Sequence, residues 1–354
     1  MKLEKNQIIE LLKAEGEVKL DLFRNAREKR DLMLGKTVFF RGLIEFSNVC
    51  TKDCYYCGIR KSNSKVSRYE MPDYEILDAC RFALDHEYGS VVLQSGEVTS
   101  PAFTMRMEEL VKEIKRMSGN KLGITLSCGE QSPETYRRWF QAGAHRYLLR
   151  IETSDKVLFS RLHPENNHHS YDRRLAAIRD LKETGYQVGT GVMIGLPSQT
   201  LENLADDLLF FKEMDIDMCG MGPYIEHEDT PMYTFQEQLM PKMERFELTL
   251  KMIAILRLLM PDINIAASTA LQSIVPEGRE IAVSVGANII MPNLTPSQYR
   301  HGYRLYENKP GLDWDASETD SYLRNSVLRT GCRIGFGEWG DSVHFMKREK
   351  GSKT

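Results

Sequence analysis

The sequence predicts an α/β fold, a (β/α)8 TIM barrel. Eight short apolar runs recur at roughly even spacing, an amphipathic segment lies between each pair, and polar or charged residues gather where the runs end. Apolar runs bounded by polar clusters read as strands, and strands alternating with helical patterns read as a parallel sheet with crossover helices. Functional groups of such barrels sit at the C-terminal strand ends, which is where the polar residues fall here.

The first run is GLIEFSN (42–48), which leads straight into a loop with three cysteines. SVVLQSGE (90–97), GITLSCGE (123–130) and YLLRIET (147–153) follow, ending near Glu97, Glu130 and Glu152. VGTGVMIGLP (188–197) and MCGMGPYI (218–225) are the fifth and sixth, with Met193 inside the fifth. INIAAST (263–269) closes on Ser268 and Thr269, and NIIMPN (288–293) is the eighth. The helical segments between them are MPDYEILDACRFALDHEYG, PAFTMRMEELVKEIKRMSG, SPETYRRWFQAGAH, RRLAAIRDLKETGY, LENLADDLLFFKEMD, ERFELTLKMIAILRLLM and PEGREIAVSVGAN, with SETDSYLRNSVLRTG after the eighth run. Several end in glycine, the usual helix stop. Residues 1–36 read as a helical extension before the barrel, 37–330 as the barrel and 331–354 as a closing tail, with no linker or low-complexity stretch.

Composition limits the function. Lys plus Arg is 47 against 50 for Asp plus Glu, a net charge of −3, which gives no reason to expect nucleic acid or an anionic membrane as partner. No apolar run approaches bilayer-spanning length. The N-terminus MKLEKNQIIELLKAEG lacks the apolar core of a signal peptide, so a cytoplasmic location with reduced thiols is expected.

Three of the seven cysteines form Cys50-x-x-x-Cys54-x-x-Cys57. An odd count with three clustered fits a metal site better than a disulfide framework. A zinc site would need a histidine or a distant cysteine to complete it, and Cys80, Cys128, Cys219 and Cys332 are solitary. Iron–sulfur clusters are held by thiolates on one compact loop, and three thiolates on a four-iron cube leave one iron open for chemistry. Tyr55 and Tyr56 between the thiols would shield such a cluster from water. Ser47 and Asn48, just before the first thiol, suit capping the loop or bonding its sulfurs.

Arg150 and Glu152 are two apart on one strand and therefore share a face. Ionised groups facing a barrel interior are costly unless paired or bound to a polar ligand. A ribose diol suits the carboxylate and a ligand carboxylate suits the guanidinium. Arg174 begins the following helix and is placed to meet a ligand carboxylate, whereas Arg173 reads as solvated surface.

The cysteine spacing, with an aromatic residue just before the last thiol, resembles the signature of the radical S-adenosylmethionine (SAM) superfamily. Ser95-Gly96-Glu97 after the second strand is similar to that superfamily's Gly-Gly-Glu-like stretch, with serine in place of the first glycine. RGLIEFSNVC, VVLQSGE, MIGLPSQT, DDLLFFKEMDIDM, MGPYIEHEDTP, VPEGREI and ANIIMPNLTP further resemble the HydE family of di-iron hydrogenase maturases, beside biotin synthase and methylornithine synthase. The resemblance runs from about residue 36 to about residue 310 and implies a radical SAM type of barrel.

It implies one four-iron–four-sulfur (4Fe-4S) cluster on Cys50, Cys54 and Cys57, S-adenosyl-L-methionine as cofactor, and reductive cleavage to a 5′-deoxyadenosyl radical. It puts Tyr56, Gln94, Ser95, Glu97, Glu152, Arg174 and Met193 near SAM. It puts Thr125, Arg150, Ser268, Thr269, Tyr303 and Tyr306 around the substrate cavity. The implied substrate is a small cysteine-bound iron complex; the implied partners are a reducing electron donor and other hydrogenase maturases.

Three departures from the family pattern stand out. Ile151 replaces a histidine between the arginine and glutamate of strand four, which would put an alkyl group in the cavity. Gly129-Glu130-Gln131 replaces Gly-Glu-Trp, and YENKPGLDWDASETD lacks the cysteines of a second cluster. A relative acting on a free amino acid, as a methylornithine-synthase-like mutase, is the alternative. Sulfur insertion of the biotin-synthase kind needs an auxiliary cluster for which the scattered cysteines offer no ligand set. Asn166-Asn167-His168-His169 reads as a solvated loop and LTLKMIAILRLLM as core.

Overall fold

In strand β1 (Thr37–Ser47), valine, phenylalanine and isoleucine at Val38, Phe40, Ile44 and Phe46 are fully buried, and the strand pairs on both sides. It follows helices α1 (Lys5–Lys13) and α2 (Gly16–Leu34). The computed structural model describes residues 3–351, so the outermost residues of the 1–36 and 331–354 segments lie outside the described residues. After β1 the chain runs through α3 (Asp73–Asp85), β2 (Ser90–Ser95), α4 (Pro101–Met117), β3 (Gly123–Ser127), α5 (Pro133–Ala142), β4 (Arg146–Leu148), α6 (Lys156–Arg161) and α7 (Tyr171–Thr184). Next come β5 (Gln187–Thr190), β6 (Met193–Ile194), α8 (Leu201–Glu213), β7 (Met218–Cys219), β8 (Gly222–Pro223), α9 (Lys242–Leu259), β9 (Asn264–Ile265) and α10 (Thr269–Gln272). The last elements are α11 (Gly278–Ser284), β10 (Ile289–Ile290), α12 (Ser297–Arg300), α13 (Ala316–Arg329), β11 (Arg333–Ile334) and α14 (Val343–Gly351).

The strands pair in parallel in the order β10-β1-β2-β3-β4-β5-β7-β9. Asn288 N donates to Ile265 O and Ala267 N to Ile289 O, each at 2.9 Å, which joins β9 to β10 and closes the ring. The fold is a parallel (β/α)8 barrel, as the eight apolar runs predict.

The fifth and sixth runs differ in detail. Each is interrupted, and its second half forms the small β6–β8 pair that extends the barrel mouth. The interruption is a pinch: a Cβ on Gly191 would lie 2.0 Å from Gly220 O, so no side chain fits there.

Helix α9 is buried on nearly all sides, because α1 and α2 cover its outer face. That arrangement accounts for the all-round apolar LTLKMIAILRLLM. Lys251–Glu15 (2.6 Å) and Lys19–Glu247 (2.7 Å) tie the layers together.

The tail after α13 crosses the N-terminal end of the barrel. Strand β11 pairs with the start of β1. Gly340 O then accepts from Arg41 and Asn264, both at 2.9 Å, and Arg146 donates to Trp339 O (2.8 Å) and Asp341 (2.6 Å). The catalytic face is left at the opposite end, where the cysteine loop emerges.

Candidate active site

The loop that follows β1 is held by side chains rather than by secondary structure. Asn48 donates to Ser67 O (2.8 Å) and Gly302 O (2.7 Å) and accepts from Tyr69 N (2.8 Å). Ser47 accepts from Val49 N at 3.2 Å. Both residues cap the loop and neither bonds a sulfur. Arg68 closes its neck, donating to Asn48 O, Ile59 O, Arg60 O and Asn63 O at 2.6–3.2 Å.

Inside this frame Cys50 Sγ accepts from Glu97 N (3.3 Å) and Lys52 N (3.4 Å). A Cβ on Gly96 would lie 2.7 Å from Cys50 Cβ and closer still to Val49 O, so glycine is required where strand β2 backs onto the loop. Burial pushes the Cys54 thiol up to about 12 and raises Cys50 and Cys57; at Cys54 and Cys57 the neighbouring thiolates add to the effect. Bound iron reverses that balance, since a coordinating thiol is deprotonated outright. Among the described residues no three His, Cys, Asp or Glu side chains converge on a single ion position. Thiolates of a multi-iron cluster bind different irons and need no such convergence. Three neighbouring thiols on one partly buried loop, with backbone N–H groups aimed at a sulfur, therefore fit a cluster better than a mononuclear ion.

A charged layer lies beside the loop. Lys52 Nζ pairs with Glu97 (3.2 Å) and Glu130 (3.1 Å), and Arg174 Nε with Glu130 at 2.6 Å. Glu97 also accepts from Glu130 N at 2.7 Å. Burial opposes ionising Glu130, but Arg174 and Lys52 more than offset it and hold the carboxyl below its ordinary range. Burial raises Glu97, with Lys52 opposing.

Arg150 bonds both oxygens of Glu152, at 2.9–3.0 Å, and donates to Val192 O at 2.9 Å. The Arg150 side chain keeps 31% of its surface exposed while Glu152 keeps 8%. Glu152 has φ 69°, a conformation rare outside glycine, held by Glu152 N to Gly191 O and Met193 N to Glu152 O, each 3.0 Å. Tyr56 sits among these groups: burial raises its phenol, and the negative charge of Cys54 and Glu152 adds to this. Met193, Tyr55 and Tyr56 pack on a small apolar cluster of Leu158, Leu162, Leu196, Tyr224 and Met232.

Further in, Gln94 donates to the buried Tyr303 hydroxyl at 3.3 Å. Ser95 donates to Gly96 O (2.7 Å), and Ser268 caps α10 by accepting from Ala270 N. Thr269 begins α10, and Tyr306 lies close enough to Glu45 and Arg150 to feel their charges. Thr125 accepts from Arg146 Nε at 3.1 Å, so its hydroxyl is engaged toward the tail end of the barrel.

The superfamily model for radical SAM proteins matches residues 44–211. The [FeFe] hydrogenase maturase subunit HydE of Thermotoga maritima is 48% identical over 81% of this chain and 79% of its own. The chain belongs to the radical SAM superfamily. A second relative, 3-methylornithine synthase of Methanosarcina barkeri, is 30% identical over 92% of this chain and 88% of its own. The crystal structure of methylornithine synthase (PylB) superposes with a TM-score of 0.80, covering 95% of both chains at 26% identity. The hydrogenase maturase HydG from Carboxydothermus hydrogenoformans shares the fold, with a TM-score of 0.80 over 95% of this chain and 76% of its own at 18% identity.

For this radical SAM enzyme, the structure bears on two sequence expectations. Ile151 is fully buried in the main apolar core, between Arg150 and Glu152 whose side chains bond each other, so an alkyl group suits its surroundings. Asn166-Asn167-His168-His169 is not simply a solvated loop, because His169 is buried and its Nε2 accepts from Asp53 N at 2.8 Å, bracing the cysteine loop. Sequence reasoning missed Lys52, whose position between two cysteines gave no hint of two carboxylate partners. It also missed the buried Glu45–Lys309 pair, which unites β1 with the segment roofing the barrel. Period two on β1 places Glu45 on the inward face with Arg41 and was the available signal. No helix among the described residues is long and apolar enough to cross a membrane.

Proposed function

We propose that this enzyme binds one 4Fe-4S cluster through Cys50, Cys54 and Cys57 and acts, like HydE, in assembly of the di-iron hydrogenase active site on a small cysteine-bound iron complex. The 48% identity to the Thermotoga maritima maturase, extending over 289 residues and thus far beyond the cysteine loop, carries this reading. When bound, the cluster and SAM would supply radical chemistry at the adenosyl carbon.

The chain's own residues bind and orient. Glu152 offers acceptor capacity beyond the Arg150 pair, since a carboxylate has about four lone-pair sites, and so suits a ribose diol. Arg174 suits the carboxylate of SAM, with Glu130 holding its guanidinium in place. Tyr56, Gln94, Ser95, Glu97 and Met193 complete that contact set. Arg150, Ser268, Thr269, Tyr303 and Tyr306 supply one positive charge and several hydroxyls for a small anionic substrate, while the Thr125 hydroxyl is held by Arg146 toward the other end of the barrel. A reducing electron donor and the other maturases are the partners.

A second reading, a mutase acting on a free amino acid, is favoured by the full-length superposition on methylornithine synthase. One comparison separates them. Co-expression with partner maturases yields active hydrogenase, and the iron-complex substrate gives an adenosylated product, if the first reading holds. Conversion of lysine to a branched isomer with no effect on hydrogenase would replace it.

A further inference from the structure

The one-turn segment Asn167–His169 stands between α6 and α7 and reaches the cysteine loop at two adjacent residues. His168 O accepts from Lys52 Nζ, and His169 Nε2 accepts from Asp53 N at 2.8 Å. The tautomer of that ring is fixed by its partners. Asn166 Oδ1 accepts from His168 N (3.0 Å), a group that can only donate, so the oxygen of the amide faces His169. His169 Nδ1, 2.8 Å from the same oxygen, therefore carries the proton, and Nε2 presents its lone pair to the Asp53 N–H. Burial, with Lys52 adding to it, pushes the imidazole down to about 4 and so keeps that lone pair free of a proton.

The two held residues control the donors on one thiol. Cys50 Sγ accepts from Lys52 N at 3.4 Å and from Glu97 N at 3.3 Å. Lys52 is gripped through its ammonium and, one peptide along, through Asp53 N. The same ammonium holds the Glu97 carboxylate at 3.2 Å. On the other side, Thr51 N is fixed by Glu97 O at 2.8 Å. The Lys52 N–H is thus aimed at the sulfur by contacts on both sides of it. An N–H dipole on a ligand thiolate favours the more negatively charged state of a cluster, and hydrogen bonds to the sulfurs are among the features that set its reduction potential.

We propose that His169 is a positioning residue for the cluster: by accepting the Asp53 N–H it holds the Lys52 N–H on Cys50 Sγ and raises the cluster's reduction potential. The inference rests on the proposed 4Fe-4S cluster at Cys50, Cys54 and Cys57.

The test is a redox titration of anaerobically reconstituted protein, with the reduced cluster read by electron paramagnetic resonance. His169→Phe keeps a ring beside His163 but offers Asp53 N no lone pair. It should carry the wild-type content of iron and sulfide. Its ratio of reduced to oxidised cluster at a fixed potential should fall about tenfold, which lowers the midpoint by about 59 mV for a one-electron couple. His169→Gln, whose amide oxygen can take the place of Nε2, should restore the wild-type midpoint. His169→Leu is the second acceptor-free variant if the phenylalanine variant loads no cluster. An unshifted or raised midpoint in a fully loaded acceptor-free variant overturns the proposal, even where that variant is less stable, since His169 is then a structural brace only. Equal shifts in His169→Phe and His169→Gln overturn it as well, because the accepting atom would not be the cause. A wild type that holds no four-iron cluster is a separate failure, which removes the cluster reading and the inference with it.

Discussion

Lys52, between the first and second cysteines of the loop, places one buried ammonium 3.2 Å from Glu97 and 3.1 Å from Glu130. A single cation thereby ties the ends of β2 and β3 to the cysteine loop, and Glu130 passes the link on to Arg174. Removing one partner of a buried ionic group leaves charges uncompensated, at a cost of about 3–5 kcal/mol. Lys52→Met should lower stability by that order in urea unfolding at neutral pH. Adding Glu130→Gln should recover part of the loss; a double variant as unstable as the sum of both singles would show that the three groups are not coupled.

The cysteines separate cleanly by position. Cys50→Ala, Cys54→Ala and Cys57→Ala should each abolish the cluster after anaerobic reconstitution, measured as bound iron and sulfide. Cys128 and Cys219 are fully buried in the core. Cys128→Ala or Cys219→Ala should leave iron content unchanged, and a loss there would reassign the ligands.

Glu152→Gln keeps the shape of a side chain whose backbone is already in an unfavourable conformation, while removing its charge. A charge-assisted hydrogen bond is worth about 1.5–3 kcal/mol, roughly ten- to a hundredfold in affinity. Calorimetry should show SAM binding weakened by that factor with cluster content intact. An unchanged dissociation constant would make Glu152 a structural partner of Arg150 only.

Ile151→His restores the residue of the family pattern but puts an imidazole into a fully buried apolar position. A polar group buried without a partner costs about 1–3 kcal/mol. The expected result is a lower unfolding midpoint with no change in which substrate is used, whereas a switch in substrate would place residue 151 at the cavity wall.

The tail helix α14 is fastened by His344, whose ring lies 3.0 Å from Asp262 and 2.6 Å from Asp215. Hydrogen bonding to Asp262, then to Asp215, raises the imidazole above its ordinary 6.5, and the same contacts lower Asp262 below the ordinary 3.8. A raised histidine stabilises fully below about 6.5, and its share is lost as pH climbs through the folded value. A lowered carboxyl stabilises above about 4, and its share is lost as pH falls. Docking is therefore strongest between about pH 4 and 6.5. Lys347 on Asp262, Arg348 on Asp215 and Asp217, and Lys182 on Asp215 keep part of it at higher pH. Hydrogen exchange of 343–351 should quicken from pH 6 to pH 9 beyond the intrinsic rate change, and His344→Gln should remove that excess.

Periodicity and spacing carried most of the architecture. The apolar runs determined the eight strands because burial on both faces of a parallel barrel strand demands them locally. The cysteine spacing marked the loop proposed to hold the cluster, because it puts three thiols on one short segment. The nearness of Arg150 and Glu152 was legible from their spacing, but β4 ends at Leu148 and it is the φ of 69° at Glu152, not strand alternation, that accompanies their pairing. What only the tertiary structure decided are relations between distant segments. Glu45 and Lys309 stand 264 residues apart in the chain. The tail finds Arg41, Arg146 and Asn264 only once the ring has closed, and His169 reaches the cysteine loop from beyond β4. Local sequence specifies which face a side chain takes, but a buried charge is matched by whichever group the closed barrel brings within hydrogen-bonding distance.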